Sequence, residues 1–239
     1  MQEALTLASS FLEIKDREHA EILRKKLREA TSAAHDRLDN LMRDAAGWTT
    51  RDEYVQFLQL QLAARAPIEM WLKANAPRHL HPPAQCAHIV SDLTSIDAKT
   101  PSECKTLQTG FTIPSALDDD KDASALGAAW TLAGSALGNR AILKDMRRAA
   151  AQQGSDAWPH SFLGDPDMLA FWGVLRRQIE RPASSSETCA AVQASLAVFN
   201  HFIAIAEAHL AAASQHRVGA INERPTLAHS PHSCPAVHQ

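Results

Sequence analysis

Apolar residues recur every three or four positions along most of the chain, a spacing that predicts α-helices. The strongest stripe is Leu23, Leu27, Ala30, Ala34, Leu38, Leu41 and Ala45. It predicts a helix from Glu18 to about Ala45, ended by Gly47. Thr50 is placed to cap a second helix, about 51–74, that carries Tyr54, Phe57, Leu58, Leu62, Met70, Trp71 and Leu72 and that Pro67 should kink or break. A loop over 75–83 leads to a third helix, about 84–96, with Ile89, Val90 and Leu93. Residues 97–121 read as an irregular connection. A long helix then starts at Asp122 or Ser124 and closes near Arg147 and Arg148. Asp165-Pro166 opens a further helix to about Arg181, with the proline at its first position. Ser184 and Glu187 have capping-box spacing for the last helix, to about Ser214, whose stripe is Val192, Leu196, Phe199, Ile203 and Leu210. The flanks are a weakly amphipathic leader, 1–17, and a proline- and histidine-rich tail, 215–239, expected to be disordered. The pattern is that of one all-α domain over 18–214.

Composition narrows the class without naming a chemistry. The chain has 239 residues, 45% of them hydrophobic, which is enough for a real core. A net charge of −3 argues against a nucleic-acid partner. No apolar run approaches the roughly 20 residues of a membrane span. The early Glu3 makes a poor signal peptide. Cys86, Cys104, Cys189 and Cys234 lie far apart and read as reduced thiols, so the expected location is cytoplasmic.

The long helix holds an anomaly. Gly127, Gly134 and Gly138 are three of only nine glycines in the chain, and each costs a helix about 1 kcal/mol relative to alanine. Gly134 and Gly138 share a face, and Gly127 and Thr131 continue it. A face without side chains admits either another helix or a ligand close to the backbone, and the spacing alone leaves both open.

His35, in the first helix, lies at the edge of the apolar stripe. Asp39, four residues on, is placed to take the Nδ1 proton and orient the ring, as the carboxylate partner of a ligating histidine does. A boundary histidine beside a solvated aspartate is the competing interpretation. Other chemistries lack their motifs: there is no paired Glu-x-x-His, no HExxH, no GxSxG and no phosphate loop. His79 and His81 read as loop residues. His229, His232, Cys234 and His238 belong to the tail, where Cys234-Pro235 matches a short haem-sensing pattern.

Together, LREATSAAHDRLD at 27–39 and WTLAGSALGNR at 130–140 resemble the haem oxygenase family, and most closely its bacterial biliverdin-producing branch. YVQFL at 54–58, PIE at 67–69, FLGDP at 162–166 and FWGVLR at 171–176 support the likeness, which spans about residues 23–212. The resemblance implies an all-α fold with haem between the first helix and the glycine-bearing helix. It implies His35 as the proximal iron ligand. Arg28 and Arg176 become propionate partners, with Lys25 and Arg177 as helpers. Gly134 and Gly138 would form the distal roof, with Ser135 where some members carry an aspartate that holds water. Trp130 replaces a tyrosine common in the bacterial branch, and Asn139 replaces a second glycine.

The activity implied is opening of haem to biliverdin with release of carbon monoxide and ferrous iron. Haem is then both substrate and cofactor. Electrons are expected from an external ferredoxin or flavin reductase, and a bacteriophytochrome is a candidate acceptor of biliverdin. Two other classes remain: a non-catalytic haem sensor or carrier on the same fold, and a haem-free member related to thiamin-degrading proteins, for which no cysteine stands in an obvious position.

Overall fold

The computed structural model describes residues 22–99, 110–113 and 120–222, with side chains as far as Ser214. Six α-helices carry the fold: α1 (Leu23–Ala45), α2 (Arg51–Asn75), α3 (Gln85–Ser95), α4 (Lys121–Gln152), α5 (Pro166–Ile179) and α6 (Ser185–Asn222). A short 3-10 turn, Arg78–Leu80, interrupts the loop between α2 and α3. Among the described residues there is no β-sheet, so the all-α expectation holds. The leader, and the tail residues His229, His232, Cys234 and His238, lie outside the described residues.

The helix ends follow local chemistry. Thr50 accepts from the Glu53 backbone N–H while the Glu53 side chain accepts from the Thr50 N–H, a complete capping box. Asp165 accepts from the N–H groups of Asp167 and Met168 at the start of α5, with Pro166 in the first turn. Gly47 follows α1 at φ +73°, the left-handed conformation that lets the chain leave the helix.

Three expectations need correction. Pro67 does not break α2, which is assigned as one helix through it. The lost backbone N–H is tolerated because Ala64, Ile68 and Leu72 on either side are fully buried and held by packing. α4 begins earlier than expected, capped by Asp120 rather than Asp122 or Ser124, and runs four residues past Arg148. α6 continues to Asn222, so residues 215–222 of the expected tail are helical.

α6 is the packing axis. Over Ser185–Ser214 its mean hydropathy is high enough for a membrane span by composition alone, but just over half of that window is buried inside the domain. It packs chiefly against α1 and α4, while α2 reaches α3, α4 and α6, and α5 lies on α4. Leu23 and Leu27 of α1 and Leu132 of α4 are among the side chains fully removed from water. Each such leucine contributes roughly 2 kcal/mol of burial free energy.

α1 and α4 run in the same direction as α6. The Leu23 N–H donates to Arg181 O just before α6, and Arg37 pairs with Glu207 farther along it. At the start of α4, Asp122 and Ala123 line one cavity with Glu187 of α6, and further along α4 Gly127 meets Ala191 and accepts from Ser195. α1 and α4 therefore both pack along α6.

His201 of α6 gives the fold an acid-sensitive point. Burial pushes its pKa below the usual histidine value of 6.5, only partly offset by a hydrogen bond to the Ala64 backbone. His209 is depressed by burial as well. A depressed histidine binds fewer protons folded than unfolded, so its contribution is complete above about pH 6.5 and declines as pH falls below it. The melting temperature should drop between pH 7.5 and 5, and His201→Phe should flatten that slope. An unchanged slope in the variant would assign the acid loss elsewhere.

Candidate functional site

The glycine face divides into two parts. A Cβ at Gly127 would stand 2.1 Å from Ala191 O and 2.8 Å from Ala191 Cα, so this glycine exists to let α4 and α6 touch backbone to backbone. Gly134 and Gly138 have no such neighbour. A Cβ at Gly134 would meet Trp172 Nε1 at an ordinary 3.7 Å, and one at Gly138 would meet nothing within 4 Å. Helix packing explains Gly127 and leaves Gly134 and Gly138 unexplained.

His35 stands on α1, which also packs on α6. Its side chain is 58% exposed, with Nδ1 3.4 Å from Asp39 Oδ2 and 3.9 Å from Asp36 Oδ1. The ring meets Phe199 of α6 edge-on, centroids 5.9 Å apart. The Asp39 carboxylate lies on the Nδ1 side of the ring, and Asp36 at 3.9 Å is beyond hydrogen-bond reach. Counting along α6 from the Gly127–Ala191 contact, Gly134 lies about 10 Å further on, near the level of Phe199. His35 and the open glycines thus occupy similar heights along the same helix.

α5 touches both α4 and α1. Trp172 lies beside Gly134, and the Arg176 guanidinium sits 5.8 Å from the centre of the Trp172 ring. Arg176 Nε donates to Glu180 Oε1 at 3.1 Å, and Arg24 Nη1 of α1 donates to the same oxygen at 2.9 Å. Arg24, Arg28 and His35 are placed by the helical repeat on one edge of the α1 stripe. Arg28 and Arg177 are exposed, and Lys25 is 3.9 Å from Glu29. A single carboxylate shared by two arginines leaves this end net cationic. Arg24 and Trp172 are residues that sequence reasoning missed. The signal for Arg24 was its phase, eleven residues and three turns before His35; Trp172 stood within FWGVLR, but nothing local tied it to a glycine on another helix.

The polar residues of α4 turn elsewhere. Ser135 donates to Leu132 O at 2.8 Å and accepts from Arg65 Nη2 of α2 at 2.5 Å. Asn139, one turn on, is 5% exposed. It lines a cavity of about 210 Å³ with Gln85, Arg140, Phe162, Asp165 and Met168. Ser135 and Asn139 are therefore drawn into the interior, and Asn139 lies away from the Gly134–Gly138 strip. Trp130 is half-buried and packs against the core one turn before Gly134.

α2 and α3 bury a polar cluster that no pattern announced. Arg65 is 1% exposed, with Gln61 and Glu69 one turn to either side. Glu69 is hydrogen-bonded by the Cys86 thiol and by the backbone of Gln85 and Cys86, while burial raises its pKa above the usual carboxylate value. Burial likewise pushes the Cys86 thiol up, which disfavours a thiolate. Cys86 therefore does stand beside a carboxylate, contrary to expectation, but in its unreactive form. Cys86 and Cys189 are free thiols. His81 hydrogen-bonds Ala76 O and ties the 75–83 loop. Among the described residues no cluster of three histidine, cysteine or acidic side chains is arranged to hold a metal ion.

No family model matches this chain, and no curated protein and no solved structure is significantly similar to it.

Proposed function

We propose that this chain binds haem between the His35 edge of α1 and the Gly134–Gly138 face of α4, and that it acts as a haem oxygenase. The observation that carries the reading is the contrast among the glycines of one helix. Gly127 is occupied by α6, whereas Gly138 faces open space and Gly134 meets only the edge of an indole. Two helix-weakening residues without a packing partner are accounted for by a flat ligand that must approach the backbone.

The residues present suit that ligand. Haem, when bound, supplies the iron on which oxygen is activated and the porphyrin ring that is cleaved. His35 would hold the iron through Nε2, with Asp39 the nearer carboxylate on the Nδ1 side of the ring. Arg24, Arg28 and Arg176 would receive the propionates at the cationic end, Glu180 holding two of these guanidiniums in place. Gly134 and Gly138 would let the α4 backbone approach the distal side. The phenyl ring of Phe199 forms an apolar wall beside His35. Electrons would come from a separate ferredoxin or flavin reductase, and biliverdin, carbon monoxide and ferrous iron would leave.

One observation favours a non-catalytic haem binder on the same site. The Ser135 hydroxyl is engaged by Arg65 and Leu132 O, and Asn139 is buried, so neither is displayed on the glycine face to hold water there. A haemin titration followed by reductant and air separates the two. The enzyme reading predicts a Soret complex that converts to a biliverdin spectrum. A Soret complex that persists as a stable oxygenated species leaves the binder, and the absence of any Soret shift removes both.

A further inference from the structure

Arg65 is a buried cation whose hydrogen-bond partners are neutral. Its Nε donates to Gln61 Oε1 at 3.0 Å and its Nη2 to Ser135 Oγ at 2.5 Å. The guanidinium lies 4.9 Å from the centre of the Phe162 ring and 5.9 Å from that of Phe202. Its third nitrogen, Nη1, is buried without a hydrogen-bond partner. Among the described residues no ion pair joins Arg65 to a carboxylate. Glu69, one turn along α2, acts on it only through space.

Such an arrangement is costly for stability, because a buried charge is ordinarily paired and fully hydrogen-bonded. Burial lowers the Arg65 pKa to about 10 against the opposing pull of Glu69 and Cys86, so the group still carries its proton at neutral pH. The charge reaches α4 at the residue directly after Gly134. A positive charge held in the interior with no direct ion-pair partner, in contact with the residue after Gly134, stabilises negative charge that arrives nearby.

We propose that Arg65 is the positioning residue of the glycine face: through Ser135 it anchors the α4 backbone at Gly134 and Gly138, and its buried charge favours an anionic ligand on the distal side of the haem. This inference rests on the haem reading above. It concerns a residue of α2 that lies outside both segments carrying the family resemblance.

The test uses full-length protein loaded with ferric haem, with hydroxide and azide as anionic probes. At roughly 10 Å and an effective dielectric constant near 20, one unit charge is worth about one pH unit. Arg65→Gln should raise the midpoint of the water-to-hydroxide transition by about that amount and weaken azide about tenfold, while Arg65→Lys retains most of the native values. Glu69→Gln removes the opposing charge and should move both readouts the other way. A merely structural role for Arg65 would not give opposite signs in the two variants. If Arg65→Gln forms a Soret complex with native midpoint and azide affinity, the proposal is wrong while the haem reading stands. If Arg65→Gln does not fold, an unshifted midpoint in Glu69→Gln overturns it. If the unsubstituted protein forms no Soret complex, the haem reading fails and the role of Arg65 falls with it.

Discussion

Gly127→Val should lower the melting temperature by about 10 °C or prevent folding altogether. The new Cβ would overlap Ala191 O at 2.1 Å and Ala191 C at 2.7 Å, both backbone atoms that no rotamer change can move. The helices must separate, and α4 against α6 is among the largest contacts in the domain. Separation would also break the Ser195 hydrogen bond to Gly127 O, which is fully buried. Overpacking of a close-packed interior costs about 1–3 kcal/mol when side chains can adjust, and a backbone collision exceeds that range, at about 4 kcal/mol. A domain of this size loses roughly 2–4 °C per kcal/mol. Gly134→Ala and Gly138→Ala are the controls. Neither meets a close neighbour, and each should gain up to about 1 kcal/mol of helix propensity. Thermal melts of the three variants decide the matter; equal destabilisation would contradict the division of the glycine face.

His35→Ala should abolish the axial ligation expected of the haemin complex with little effect on stability. The side chain is more than half exposed and meets Phe199 edge-on, so the fold should lose little. On the haem reading the iron would lose its protein ligand, and the haemin affinity should fall more than tenfold, because apolar contact and the arginines proposed for the propionates would not replace a metal–nitrogen bond. Exogenous imidazole should restore a six-coordinate or histidine-like Soret spectrum by entering the space left. Asp39→Asn should be milder, since Asp36 also lies near Nδ1. An unchanged spectrum in His35→Ala would place the iron elsewhere.

Much of the helical framework was legible from periodicity. The α1 stripe, the Thr50 cap and the Asp165-Pro166 start are local signals, and local chemistry is what they report. Elements whose limits depend on distant packing were read less well. Pro67 carries a breaking signal that buried neighbours outweigh, and α6 runs past the last clear stripe residue.

The site was legible in part for the same reason. His35 with Asp39, and the bare residues at 134 and 138, are patterns within single helices. The distinction between Gly127 and the other glycines is not, because it lies in the path of α6. Arg65 is the sharpest case: a lone arginine in an amphipathic helix reads as solvated, and only the convergence of Gln61, Ser135, Phe162 and Phe202 shows it buried. Asn139 is the converse. Its place beside Gly138 in sequence suggested the haem face, yet one residue is a turn of about 100° around a helix, enough to carry it into the interior.

The location of the ligand is the claim on which the rest depends, and Gly138→Phe tests it most directly. A Cβ there meets nothing within 4 Å and the position is exposed, so the fold should tolerate a side chain and the melting temperature should stay level or rise. The ring would occupy the space assigned to haem, and the haemin affinity read at the Soret band should fall at least tenfold. A variant that melts like the native protein and binds haemin with native affinity would contradict the placement of haem beneath α4.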